Sequence, residues 1–272
     1  MSVDWPRLGL RGLLIDLDGV VVTGREPIPG SADFLAAARR HGLRFLLVTN
    51  NSTTSPAVVA ERLTSLGIDV QPDEILTSAQ AAVGYVCANG PASPRVRIIG
   101  EGGLREAAAA AGLEVVDNGS LETVDWVITG LDRDFSYQKL TLATRAIRAG
   151  ARFVATNADA LLPIEGGQVL PGAGSIVAAI QTATGIQPIV TGKPEPGLFQ
   201  HGLARLGGLP PAAVAMVGDR LDTDVAGGRR AGLHTILVLS GVTTPAILAS
   251  ATVQPDATVP TLAAVATLLG WT

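Results

Sequence analysis

Apolar runs of strand length alternate along this chain with stretches of helical periodicity, and that alternation leaves few folds open. Gly12 to Asp16 reads as a strand, Ser31 to Arg40 as a helix stopped by Gly42, and LRFLLVT (43 to 49) as the next strand. Ser55-Pro56 supplies an N-cap and a first-turn proline for a helix that Gly67 ends. VRIIG (96 to 100), VDWVITG (124 to 130), ARFVAT (151 to 156), AVAMVG (213 to 218) and HTILVL (234 to 239) continue the pattern, and GLDRDFSY (130 to 137) leads into a predicted helix from Ser136 to Ala149. Strands joined by helical crossovers pair in parallel, with helices covering the sheet faces. The fold class is therefore α/β.

One strand breaks the expected chemistry. In GLLIDLDGVVVT (12 to 23), Asp18-Gly19 between apolar arms has the form of a two-residue hairpin turn. Asp16, however, falls inside the apolar run, where an ionised side chain is costly to bury without a partner or a metal. The stretch is either a turn or the floor of a site.

Ligands of parallel α/β sheets bind at the carboxyl ends of the strands. Asp16 and Asp18 stand there after the first strand, Thr49, Asn50 and Asn51 after the second, and Asp219, Asp222 and Asp224 after AVAMVG, while Lys193 lies in TGKPEPGLF before another helix. Each fragment alone has an ordinary reading as a turn, a cap, a solvated charge or an acidic helix start. Together they supply carboxylates, hydroxyl and amide donors, a cation and metal ligands. Of the 20 Lys and Arg residues only Lys139 and Lys193 are lysine, so a lysine between TG and PEP is a pointed choice. Lys139 falls on the predicted 136 to 149 helix, where arginine should replace it almost silently.

Composition narrows the chemistry further. One cysteine, Cys87, rules out an internal disulfide, and three scattered histidines cannot complete a zinc site of the usual types, so any metal is held by oxygen. A net charge of −4, no basic run and 4% aromatic residues argue against nucleic acid as the main partner. No apolar stretch reaches the roughly 18 residues of a membrane span, and MSVDWPRLGLRG lacks a charged-then-apolar leader; the expectation is a cytoplasmic protein without a membrane partner.

The Pro-rich stretches near 91 to 96 and 185 to 196 suggest crossings between domains, with the outer segments forming one core around an insert. GLRFLLVTN (42 to 50) and GARFVATN (150 to 157) echo one another, either as two similar α/β units or as a Thr-Asn turn offered by each domain to a shared cleft.

DLDGV, LVTNN, TGKPEP and VGDRLDTD resemble the four ordered motifs of the haloacid dehalogenase superfamily. The forms TNNST, GKPEP and GDRLDTD are similar to its NagD-like branch, which includes nitrophenyl, glycerol-phosphate and pyridoxal-phosphate phosphatases. The resemblance implies a Rossmann-like parallel-sheet core, 1–79 and 189–272, with an inserted α/β cap, 80–188, and a small flap hairpin just after Gly19. It implies Mg2+ held by the Asp16 carboxylate, the Asp18 backbone carbonyl and the Asp219 carboxylate, with Asp224 in support. Asp16 would be the nucleophile that becomes an aspartyl-phosphate and Asp18 the acid and base. Thr49, Asn50 and Asn51 would hold the phosphoryl oxygens, and Lys193 would balance their charge. Within TNADALLPIEGGQVLPGAGS (156 to 175), which resembles the substrate-facing region of relatives, Asn157 and Asp159 are candidates for leaving-group contacts. Relatives acting on pyridoxal phosphate tend to have a His where Leu162 stands here, which disfavours that substrate. The expected activity is hydrolysis of small phosphorylated metabolites of glycerol-phosphate or sugar-phosphate type, and of nitrophenyl phosphate, by a possible homodimer formed through the cap.

Other classes remain open on the residues alone. A receiver domain also combines Asp, Thr and Lys, but is less than half this long and is phosphorylated without turnover. A dehalogenase on the same fold lacks the acid two residues after the nucleophile. A phosphometabolite-binding module without turnover would leave this set of charged groups unused.

Overall fold

The computed structural model describes residues 3–117, 119, 122–163 and 168–271. By internal contacts the chain divides into two compact units, one of residues 1–49, 59–76 and 199–272, the other of 50–58 and 77–198.

The first unit is built on a six-stranded sheet in the order Ala257–Val259, His234–Val238, Val214–Gly218, Gly12–Asp16, Arg44–Thr49, Ile75–Thr77. Gly12–Asp16 pairs in parallel with Val214–Gly218 on one side and Arg44–Thr49 on the other. Every residue of that central strand is buried, as a strand covered on both faces must be. Leu13, Ile15, Leu47, Val217 and Ile236 pack on one face with Phe34 and Leu35 of the helix Ser31–Arg40. Truncating one such leucine to alanine costs about 2–5 kcal/mol.

After Asp16 the chain makes a tight loop in which the Val21 and Val22 amides both donate to the Leu17 carbonyl, at 2.9 and 3.1 Å. Val22–Thr23 then pairs antiparallel with Glu26–Pro27. The hairpin thus lies beyond Asp18-Gly19, and both readings of this stretch keep a part: a flap follows, and the strand ends on Asp16.

The second unit has its own five-stranded parallel sheet, Ile189–Val190, Arg152–Ala155, Trp126–Thr129, Arg95–Ile99 and Glu114–Val115. One face packs Val96, Ile98, Trp126 and Ile128 with Val83 and Val86 of Ser78–Asn89, and the other packs Ile99, Val127 and Phe153 with Ile147, Val177 and Ile180 of Tyr137–Arg148 and Ala173–Thr184. An antiparallel hairpin, Leu161–Pro163 with Val169–Pro171, belongs to this unit. The part of the 156 to 175 stretch at 164–167 lies outside the described residues.

Candidate active site

Asp16, Asp219 and Asp224 come together in the first unit: one carboxylate oxygen from each lies within 4.8 Å of the others, and all three residues are buried. Asp16 ends the central strand, and Asp219 follows the end of its neighbour Val214–Gly218. Asp224 reaches the same place through a widened helical turn, Leu221–Val225, in which the Val225 amide donates back five residues to the Arg220 carbonyl at 3.1 Å. Its Oδ2 accepts from the Arg220 amide at 3.1 Å. Asp222 takes the opposite course. It is 68% exposed and paired with Arg220 at 2.8 Å, whose hydrogen bonds hold its carboxyl below the ordinary Asp value.

Three carboxylates this close and this buried repel one another and lose hydration, so the arrangement is stable only with protons or a cation among them. An all-oxygen donor set fits a hard divalent ion such as magnesium, which binds through carboxylates and keeps several waters. Asp18, whose expected metal contact is its backbone carbonyl, has an exposed side chain.

The sequence reading missed what braces Asp219. The Val242 amide donates to Asp219 Oδ2 at 2.6 Å, and the Thr243 amide to the Asp219 carbonyl at 3.2 Å. Two glycines make room for the carboxylate. At Gly19, whose φ is +84°, a methyl group would stand 2.5 Å from Asp219 Oδ2, and at Gly241 it would overlap the same atom. Ser240 Oγ donates to the Gly19 carbonyl at 2.7 Å, tying the two glycine turns together. The one signal for this loop in the sequence is its place after HTILVL, at the carboxyl end of the neighbouring strand.

The division between units falls inside the second motif. Thr49, buried, ends a strand of the first unit, whereas Asn50, Asn51 and Lys193 belong to the second, with Asn157 and Asp159. Asn51 Oδ1 accepts from both the amide and the hydroxyl of Thr53, each at 2.8 Å. Asn50 Nδ2 donates to Asp159 Oδ2 at 3.0 Å and to the Lys193 carbonyl at 2.9 Å, and its Oδ1 accepts from the Lys193 amide at 2.8 Å. Asn157 Nδ2 donates to the Asn50 carbonyl at 2.8 Å, and Asn157 Oδ1 accepts from the Asp159 amide at 3.1 Å. Lys193 and Asn157 are buried.

Lys139 has a partner that the sequence did not reveal: its Nζ donates to both oxygens of the buried Asp132, at 2.8 and 3.0 Å. Asp132 lies on the wall of a cavity of about 370 Å³ in the second unit, otherwise lined mainly by apolar side chains, Leu162 and Phe135 among them.

The chain belongs to the haloacid dehalogenase-like hydrolases: it matches that family over residues 13–114 and a HAD-hydrolase-like family over 190–265, and it is one of their phosphatases. An acid sugar phosphatase of Staphylococcus epidermidis is 43% identical over 242 residues, 89% of this chain and 91% of that protein. The structure of a glycerol phosphate phosphatase from Mycobacterium tuberculosis, in complex with magnesium, superposes with a TM-score of 0.85 at 40% identity, over 93% of this chain and 75% of that one. A 4-nitrophenylphosphatase from Thermotoga maritima gives a TM-score of 0.89 at 33% identity, over 96% and 98%. Among the described residues no helix is long and apolar enough to cross a membrane.

Proposed function

We propose that this chain is a magnesium-dependent phosphatase of small phosphorylated metabolites, of the sugar-phosphate or glycerol-phosphate kind, working through an aspartyl-phosphate on Asp16. The observation that carries the reading is the buried cluster of Asp16, Asp219 and Asp224 at the ends of adjacent strands. Asp16, Asp219 and Asp224, with the Asp18 carbonyl, would hold the ion. When bound, magnesium offsets the negative charge that otherwise keeps a carboxylate away from a phosphate monoester.

An Asp16 oxygen attacks phosphorus as the ester P–O bond breaks, and Asp18 gives its proton to the departing alcohol oxygen. Asp18, now a carboxylate, takes a proton from water, whose oxygen attacks phosphorus and frees Asp16 and inorganic phosphate. The Thr49 hydroxyl and the amide of Asn51 hold phosphoryl oxygens, and the Lys193 ammonium balances the charge of nucleophile and phosphate.

Residues 80–188 act as the cap that reads the leaving group. The acid sugar phosphatase and glycerol phosphate phosphatase relatives support the substrate class, and Leu162 disfavours pyridoxal phosphate. Leu161, Val169 and Leu170, apolar yet 40 to 56% exposed, favour pairing of two copies through the cap. A screen of phosphometabolites ranked by kcat/KM tests the substrate class. A preference for pyridoxal phosphate over every sugar and glycerol phosphate would overturn it. Equilibrium sedimentation tests the pairing.

A further inference from the structure

Asn157 and Asp159 stand in a stretch expected to touch the leaving group, yet both side chains bond Asn50. They hold Asn50, and Asn50 holds the backbone of Lys193. A side-chain amide has two N–H donors and one carbonyl acceptor. Asn50 spends both donors, one on Asp159 Oδ2 and one on the Lys193 carbonyl, and turns its acceptor to the Lys193 amide. The amide therefore clasps one residue from both sides, gripping the N–H and the C=O of Lys193 together.

Asp159 reinforces the way that amide faces, which the Lys193 backbone also favours. With Nδ2 toward the carboxylate, every contact joins a donor to an acceptor. With the amide reversed, its oxygen would oppose the Asp159 carboxylate and the Lys193 carbonyl, and its NH2 would oppose the Lys193 N–H. Asn157 secures the other end, donating to the Asn50 carbonyl and bonding the Asp159 amide, while Ser78 Oγ reaches the same Asn50 carbonyl at 2.6 Å. The fit is tight enough that a methyl group at Gly192 would stand 2.7 Å from Asn50 Oδ1.

We propose that Asp159 is a positioning residue that acts through Asn50 on Lys193, fixing the backbone from which the phosphoryl-facing ammonium projects. This rests on the reading of Lys193 given above. It also reassigns the Asn50 side chain, whose donors serve Lys193 instead of the phosphoryl group. The consequence is separable from a leaving-group contact. A residue that aligns Lys193 affects the phosphoryl group common to all substrates, whereas one that touches the leaving group affects each substrate differently.

The test measures kcat and KM of full-length wild type, Asp159→Ala, Asp159→Asn and Lys193→Met with nitrophenyl phosphate, glycerol phosphate and a sugar phosphate, each variant checked by thermal melting. Asp159→Ala should lower kcat/KM about 10- to 100-fold, the loss that misplacement of a reacting group brings, by the same factor for all three esters. Asp159→Asn, which keeps an acceptor for Asn50 Nδ2, should recover most of that loss. Asp159→Ser stands in for alanine if the latter does not fold. Losses that differ between leaving groups, an asparagine variant as damaged as alanine, or undiminished activity in Asp159→Ala would each overturn the proposal. Undiminished activity in Lys193→Met would instead overturn the assignment of Lys193, which the other variants leave untouched.

Discussion

The Lys139 ammonium sits 2.8 Å from an oxygen of Asp132, whose carboxylate is 3% exposed, while the lysine keeps 20% of its surface in water. Removing the cation leaves a buried charge without its partner. Lys139→Met should cost about 2 kcal/mol, below the roughly 3–5 kcal/mol of a fully enclosed pair. Thermal or urea unfolding reads that cost, and kcat at a temperature where both proteins are folded should barely change. The other lysine should behave in the opposite way. A guanidinium is wider and favours two parallel bonds, so Lys193→Arg should lose catalysis while melting near the wild-type temperature.

The glycine turns around Asp219 make a second expectation. A methyl group at Gly241 would overlap Asp219 Oδ2, so Gly241→Ala should displace a carboxylate of the Asp16, Asp219 and Asp224 cluster while leaving the hydrophobic core untouched. Magnesium titration followed by calorimetry should show weakened binding in this variant. Wild-type affinity would mean that Asp219 is not a ligand.

Magnesium should also stabilise the fold, because an ion that binds the folded cluster and not the unfolded chain raises stability by mass action. The melting temperature should rise with magnesium and fall back on adding chelator. The rise should shrink in Asp224→Asn, which replaces one of the three carboxylates with an amide.

His201 gives a pH prediction. Burial, and then the charge of Arg205, hold its imidazole below the ordinary value of 6.5. The unfolded chain therefore binds this proton at higher pH than the folded one. The related stability is fully present above about 6.5 and is lost as pH falls from there toward the folded value. Denaturant unfolding at about pH 7.5 and about pH 5.5 should show a smaller difference in His201→Gln than in wild type. An equal difference would assign the acid sensitivity to other groups.

How far the sequence could be read follows from the range of each signal. The strand Gly12–Asp16 and the helix Ser31–Arg40 coincide with their sequence limits, because a buried apolar run and a glycine stop are local. Ile75–Thr77, Ile189–Val190 and Ala257–Val259 escaped notice, since two or three residues carry no usable periodicity. Asp16, Asp219 and Asp224 were legible as parts of short motifs at strand ends. The brace of Asp219 was not, because Val242 comes 23 residues later and contributes only a backbone amide. The clasp on Lys193 was hidden for a similar reason: Asn50 lies 109 residues from Asp159 and 143 from Lys193, and asparagine and aspartate in each stretch have adequate local explanations as turn residues.

Whether Asp16 is the nucleophile of a metal-assisted phosphatase is decided by turnover of nitrophenyl phosphate by wild type and Asp16→Asn, with magnesium and with excess chelator. Wild type should make many turnovers per molecule with magnesium and none with chelator, and a folded Asp16→Asn none in either condition, since an amide cannot form the acyl-phosphate. Turnover by Asp16→Asn at the wild-type rate would contradict that role.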